Sequence, residues 1–175
     1  MRAPEELDFD GWAEAAAPGL RRLGFLITGD WHLGEDLTQD ALIRIYSVWG
    51  RVSRTGAPNA YASRVLVNLN RSWVRVARNR ERPTEHLPDR SEPVCADTAG
   101  SDLQDRLAAA LAHLGASQRT IVVLRYWEGR SEGEVAEMLN LSRGTVKSQG
   151  SRGLTHLREL LAVDDLPVRS KGVST

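Results

Sequence analysis

A short turn between two helices constrains this chain more than any other feature. Ser131 is followed three residues later by Glu134, the spacing of a capping box, so a helix is expected to start there. Val135, Ala136, Met138 and Leu139 give that helix a buried face, and small Ala136 lets a second helix approach closely. Asn140 follows, one of the few non-glycine residues that enters the left-handed region cheaply, as a sharp inter-helix turn requires. Ser142 is placed to cap the next helix, and Val146 turns back toward the core. Between Leu141 and Arg158 the charged residues are Arg143, Lys147, Arg152 and Arg158, all cationic. Ser142, Arg143, Thr145, Lys147 and Ser148 cluster at the N-terminal end, with Arg152 one turn further on. Helix-turn-helix units present that end to base edges in the major groove. Segment 131–158 reads as such a unit and points to duplex DNA. The plainer reading is a solvated helical hairpin, a common element of all-α proteins that binds no nucleic acid.

The rest of the chain bears on that choice. Its 175 residues allow two small domains or one medium one. No apolar run approaches the roughly 20 residues that span a bilayer, so membrane insertion is not expected. The N-terminus, MRAPEELDFD, is acidic and lacks the basic-then-apolar layout of a secretory signal. A single cysteine, Cys95, excludes an internal disulfide and gives no metal cluster. The expectation is a cytoplasmic protein with no cofactor and no metal.

A formal net charge of zero is unusual for a DNA binder, whose affinity comes largely from phosphate neutralisation. Here the charges are segregated instead. Residues 61–82 hold six arginines against one acid, Glu81, while residues 1–40 hold nine acids and three arginines. A protein so arranged binds DNA weakly alone and better when a partner supplies further phosphate contacts. Two surfaces of opposite sign imply two different clients.

Helical periodicity dominates, with no β-hairpin signal and no internal repeat. A first helix is expected over about 10–28, broken by Gly29-Asp30. Asp30 caps a second, running to about Trp49, in which Leu33, Leu37, Ala41, Ile45 and Trp49 recur every fourth residue as a buried stripe. Asp36 and Asp40 lie one turn apart beside Glu35, a placement that the helix dipole alone would favour. A polar loop, 50–57, leads to Pro58 at the start of a third helix over about 58–80. Val65, Leu66, Leu69, Trp73 and Val76 are expected to form its apolar face, with Trp49 and Trp73 as core residues. Arg64, Asn68, Arg71, Arg75 and Arg78 share another face. Solvated arginine faces normally alternate in sign, and this one meets no acid before Glu81, so it reads as a phosphate-tracking surface.

Residues 80–100 hold three prolines and no helical stripe, the composition of an extended linker. Ser101 and Gln104 suggest another capping box, opening a helix over about 102–114. Gly115 ends it, and an amphipathic helix then runs to Gly129, ahead of the helix-turn-helix. The last helix continues to about Val163. The expected fold is all-α: two small helical domains, 1–86 and 102–163, joined by a flexible linker, 87–101, with a tail, 164–175. Gly150, one turn after Val146, either permits close packing or leaves the last helix soft.

An acidic helix followed by a basic one, then a linker and a helix-turn-helix, resembles the two-domain bacterial sigma factors of the extracytoplasmic-function group. The likeness spans residues 10–162. GDWHLGEDLTQDALIRIYSVW (29–49) is similar to the segment that docks on the polymerase β′ clamp helices, which implies Asp36, Gln39 and Asp40 as docking residues. NAYASRVLVNLNRSWVRVARNRERP (59–83) is similar to the segment that reads and opens the minus-10 element. The resemblance implies that Arg54, Asn59 and Tyr61 lie where an unstacked base is captured, and that Arg64, Asn68, Arg71, Arg75 and Arg78 follow the non-template strand. Segment 116–160 is similar to the minus-35 reader, implying DNA contacts from Ser142, Arg143, Thr145, Lys147, Ser148 and Arg152. Implied partners are core RNA polymerase, through its β′ clamp helices and β flap, promoter DNA as duplex and single strand, and an anti-sigma factor.

Two rival readings make different demands. An operator-binding helix-turn-helix regulator needs a dimerisation or ligand domain ahead of its reader, which the basic helix 58–80 fits poorly. An enzyme would need Glu35, Asp36 and Asp40 to hold a metal or share a proton. His32, His86, His113 and His156 are scattered, with no metal-binding or nucleophile–base spacing. No catalytic residue is expected.

Overall fold

The computed structural model describes residues 4–80 and 102–164, which form eight α-helices and no strand. The expected linker 87–101 with Cys95, the stretch containing His86, the Ser101 cap and residues 165–175 lie outside the described residues.

Helix α1 (Pro4–Thr28) starts earlier than its sequence predicts. The reason is tertiary. Phe9 packs 5.0 Å from the Tyr46 ring and 5.4 Å from that of Trp49, and Trp12 lies 4.9 Å from Trp49. This aromatic cluster holds the first turns in place where local propensity would not. Gly29, at φ 79°, ends the helix, and the Asp30 carboxylate accepts from the Leu33 amide at 3.1 Å to open α2 (Trp31–Tyr46). Leu37, Ala41 and Ile45 are buried along the expected stripe, with Leu33 packed at its edge. Helices α1 and α2 meet where Gly24 faces Gly34, and a Cβ on Gly24 would lie 2.8 Å from the Gly34 Cα.

Helix α2 stops at Tyr46, short of the expected Trp49. The Ser47 hydroxyl bonds back to the Arg44 carbonyl at 2.7 Å, a local alternative to helix continuation. The stretch expected as a polar loop is helical: α3 (Trp49–Val52) and a 3₁₀ turn, Ser53–Thr55, anchored by buried Trp49 and Val52. Helix α4 (Pro58–Arg80) has its expected bounds and buries Ala62, Leu66, Val67 and Leu69. Its apolar face is shorter than expected. Trp73 is 51% exposed and Val76 also faces solvent, because α4 outruns its cover and buries no described side chain after Asn70.

In the second lobe α5 (Asp102–Ala112) leads through Gly115 to α6 (Ala116–Val122). The expected continuation to Gly129 is a wide π turn, Val123–Trp127, closed by the Glu128 amide on the Val123 carbonyl at 3.0 Å. Helices α7 (Glu132–Leu139) and α8 (Arg143–Asp164) form the helix-turn-helix. The capping box is complete: Ser131 Oγ accepts from the Glu134 amide at 3.2 Å, and the Glu134 carboxylate accepts from the Ser131 amide at 2.8 Å. Asn140 is left-handed at φ 53°, and Val135 and Val146 are fully buried. The glycines of α8 serve packing. A Cβ on Gly153 would lie 2.6 Å from Val122 Cγ2, and one on Gly150 would lie 3.4 Å from Ile121 Cγ2.

Candidate nucleic-acid interface

Helix α8 carries an exposed face of particular shape. Val146, Gly150, Gly153 and Leu157 form its buried stripe. Opposite them Gly144, Ser148, Ser151 and Thr155 stand exposed, flanked by the exposed cations Lys147 and Arg152. Small side chains in the middle and cations at the margins let a helix sink toward bases while phosphates are met on both sides. The sequence-predicted residues divide into two kinds. Ser142 Oγ accepts from the Thr145 amide at 3.1 Å and pairs with the Thr145 hydroxyl at 2.8 Å, so it serves as the cap. Ser148 Oγ donates to the Thr145 carbonyl at 3.1 Å. Arg143, Lys147 and Arg152 are exposed, with Arg143 lying over Gly133 at the start of α7. Gly144, Ser151 and Thr155 went unremarked in the sequence, although their spacing with Ser148 was visible there.

On α4 the arginine stripe takes an unexpected setting. Asn68 and Arg75 are exposed, but Arg64 pairs with Glu137 of α7, and Arg71 Nη1 donates to the Met138 carbonyl at 3.2 Å. The side chain of Arg78 lies outside the described residues. Ahead of the stripe the chain turns through Gly56 at φ 71°. Arg54 folds back on the Gly50 carbonyl, while Asn59 Oδ1 accepts from the Trp12 indole at 2.8 Å. Tyr61 is half-buried. Trp12 thus holds Asn59 in place, a link across 47 residues that no local pattern announces.

Helix α2 presents the third surface. Asp36, Gln39 and Asp40 are exposed together, and Ile43 continues the same face at 67% exposure. An isoleucine so exposed beside acids suits a partner offering both cations and an apolar patch. Glu35 stands aside, 3.8 Å from Arg21, with both side chains about half exposed.

The lobes meet along a seam that sequence reasoning missed. Arg119 of α6 donates to the Thr28 carbonyl at the end of α1 at 2.8 Å, and also to the Ala112 and Leu114 carbonyls of its own lobe. Ser63 of α4 donates to the Glu128 carboxylate at 3.0 Å. The Arg22 guanidinium lies 5.1 Å above the Trp127 ring, which the π turn brings round to face α1. Each of these joins residues far apart in the chain, so periodicity gives no sign of them.

Among the described residues no group of three or more His, Cys, Asp or Glu side chains could hold a metal ion. None of their helices is long and apolar enough to cross a membrane. One ionisation stands out: the Glu134 carboxyl is held below the usual range, first by the Ser131 backbone N–H, then by its hydroxyl.

Comparison with known proteins covers both lobes. The profile of sigma-70 region 2 matches residues 12–80, and that of sigma-70 region 4 matches residues 104–157. The chain is 37% identical to the RNA polymerase sigma-E factor of Streptomyces avermitilis, over 97% of this chain and 94% of that protein. It is 31% identical to the ECF RNA polymerase sigma factor SigM of Mycobacterium tuberculosis, over 81% of this chain and 71% of the relative. Among solved structures, the sigma factor RpoE of Bartonella quintana, in complex with the anti-sigma factor NepR, matches with a TM-score of 0.73 and 28% identity. That match covers 90% of this chain and 98% of the other.

Proposed function

Because this chain belongs to the sigma-70 family, as a sigma factor of the extracytoplasmic-function group that directs promoter-specific transcription initiation by RNA polymerase, we propose a division of that work among its three surfaces. The α2 face of Asp36, Gln39 and Asp40, extended by Ile43, docks on the β′ clamp helices, and the second lobe meets the β flap. The turn carrying Arg54, with Asn59 and Tyr61, holds an unstacked base of the minus-10 element. Extruding a base costs a few kcal/mol, so a snug polar site there selects sequence while keeping the strand open. Arg64, Asn68, Arg71, Arg75 and Arg78 follow the non-template strand. Arg143, Lys147 and Arg152 flank the small-residue face of α8 in the minus-35 major groove, where Ser142, Thr145 and Ser148 shape the end of the helix.

The observation that carries this reading is the coexistence of an exposed acidic face on α2 and a cation-flanked small-residue face on α8 in one chain of zero net charge. Such a chain suits a subunit that borrows phosphate contacts from a larger assembly. It performs no bond-making of its own; the polymerase supplies the chemistry. Its place is the cytoplasm, with the polymerase and the promoter. An anti-sigma factor is a further partner, in keeping with the complex solved for the Bartonella relative. The operator-binding reading is set aside, since region 2 occupies the place its dimerisation domain would need.

The test is transcription by purified bacterial core polymerase, with and without this protein, across promoter fragments from its host. New start sites sharing two spaced upstream motifs are expected only with the protein. Asp36→Arg with Asp40→Arg should lower core association first. Intact association with failed promoter opening would mean that α2 is the wrong docking face.

A further inference from the structure

We propose that Trp12 is a positioning residue for minus-10 recognition: by holding the Asn59 amide with its oxygen inward, it sets which bases Asn59 can read. The inference rests on the assignment of Asn59 to the base-holding turn. Asn59 is exposed in the first turn of α4, where an unrestrained asparagine would turn either end of its amide outward. The indole removes that freedom. Its N–H is a donor only, so the group it meets at 2.8 Å is the Asn59 oxygen. The amide nitrogen, with its two donors, is the end left to face a base.

The ring that imposes this orientation is itself fixed. Trp12 is half-buried, packed 4.9 Å from the Trp49 ring at 31° and 5.9 Å from that of Phe9. Trp49 is buried and anchors α3, the short helix that leads into the turn carrying Arg54. One aromatic cluster therefore sets both the turn and the direction of the Trp12 N–H. Its two indoles fare differently. That of Trp49 is buried with no hydrogen-bond partner among the described residues, whereas that of Trp12 reaches out of the cluster to an exposed side chain. An exposed asparagine can bond to water instead, so this bond adds little stability. What it adds is orientation before the base arrives.

Orientation has a chemical consequence. Asparagine pairs bidentately with adenine by donating to N7 and accepting from the N6 amino group. With its oxygen engaged by the indole, Asn59 is biased toward donating alone. Thymine, cytosine and guanine each offer it a carbonyl oxygen. Adenine carries an amino group and no carbonyl, so it is the base that this arrangement disfavours.

The test is core-dependent transcription from promoters randomised across the minus-10 element, with base frequencies read from the transcripts' templates. Wild type should disfavour adenine at one position, and Asn59→Ala should abolish that preference there. Trp12→Phe keeps a ring against Trp49 and removes the N–H. It should relax the same preference about fivefold, the size expected of one hydrogen bond, and leave the other positions unchanged. In an Asn59→Ala background Trp12→Phe should change nothing further, an outcome that a merely structural role does not produce. Asn59→Asp leaves the whole cluster in place and still accepts from Trp12, but it presents acceptors only. It should turn the preference toward adenine and cytosine, the bases whose amino groups can donate to it; an unchanged order of bases would count against the proposal even if Trp12→Phe failed to fold. Three results for Trp12→Phe would overturn the positioning role while sparing the assignment of Asn59: relaxation at every position alike, an effect that persists without Asn59, or no change where Asn59→Ala causes one. Absence of core-dependent transcription, or no position altered by Asn59→Ala, would overturn that assignment and the inference with it.

Discussion

The same substitution at two glycines of α1 should act with opposite sign. Gly24→Ala gains about 1 kcal/mol of helix propensity. Its new Cβ, however, would stand 2.8 Å from both the Cα and the carbonyl oxygen of Gly34, and 3.2 Å from the carbonyl carbon. Carbon atoms prefer about 3.5–4.0 Å, and these are backbone atoms of α2 that cannot rotate away, so the two helices must part by roughly 1 Å. Overpacking of this kind costs about 1–3 kcal/mol, and parting α1 from α2 also loosens buried Leu23, Ile27, Leu37 and Ala41, which places it at the upper end. The net is about 2 kcal/mol of destabilisation. Gly19, five residues earlier, has nothing within 4 Å of its would-be Cβ, so Gly19→Ala keeps the propensity gain alone. Urea unfolding followed by helical circular dichroism reads both. At a slope of about 2 kcal/mol per molar, the midpoint should fall by roughly 1 M for Gly24→Ala and rise by roughly 0.5 M for Gly19→Ala. A Gly24→Ala midpoint at or above wild type would refute the close-contact account. Because α2 also bears Asp36, Gln39, Asp40 and Ile43, Gly24→Ala should weaken association with core polymerase even where the protein remains folded.

Ser131→Ala should destabilise the second lobe by about 1 kcal/mol by removing the cap of α7, measured by the same unfolding curves. Glu134 adds a pH signature: its folded pKa lies below the usual value of 4.5, so its contribution is present above that value and lost as pH falls through the lowered one. The stability gap between wild type and Glu134→Gln should therefore shrink between about pH 7 and about pH 3, and a gap constant across that range would rule the carboxylate out. Asn140→Ala should cost about 1–2 kcal/mol for a left-handed alanine, with Asn140→Gly close to neutral; equal losses would show that the asparagine side chain matters more than its backbone. Arg143→Ala or Lys147→Ala should lower use of promoters with a minus-35 element roughly tenfold, the effect of about 1–3 kcal/mol per contact, while core binding stays unchanged. Wild-type use of such promoters by both variants would remove the reading role of α8.

Where the sequence was legible, the signals were local. The capping box at Ser131 and Glu134, the left-handed Asn140, the Ser142 cap and the Pro58 start each depend on residues within one turn, and each is present in the structure. The misplaced boundaries were settled by partners distant in the chain. Helix α1 begins early because Phe9 and Trp12 find Tyr46 and Trp49, and α3 forms in an expected loop because Trp49 and Val52 are buried. Trp73 fits an apolar period yet lies in solvent, since periodicity tells which side of a helix a residue occupies but not where its covering neighbours end. The proposed docking and reading residues came from the family resemblance, with charge and spacing marking only which helix faces are acidic or basic. The seam left no such mark, because Arg119, Glu128 and Glu137 look like ordinary surface residues until the lobes are placed together.

Two arginines of the α4 stripe have partners on α7. Arg71 now donates to a neutral carbonyl, and Arg64 meets a carboxylate that is itself well hydrated. A phosphate offers either guanidinium a charge-assisted, bidentate partner, and such bonds are roughly twice as strong as those to neutral acceptors. If α4 follows the non-template strand as proposed, a phosphate would therefore be a stronger acceptor for Arg71 than the carbonyl it now meets.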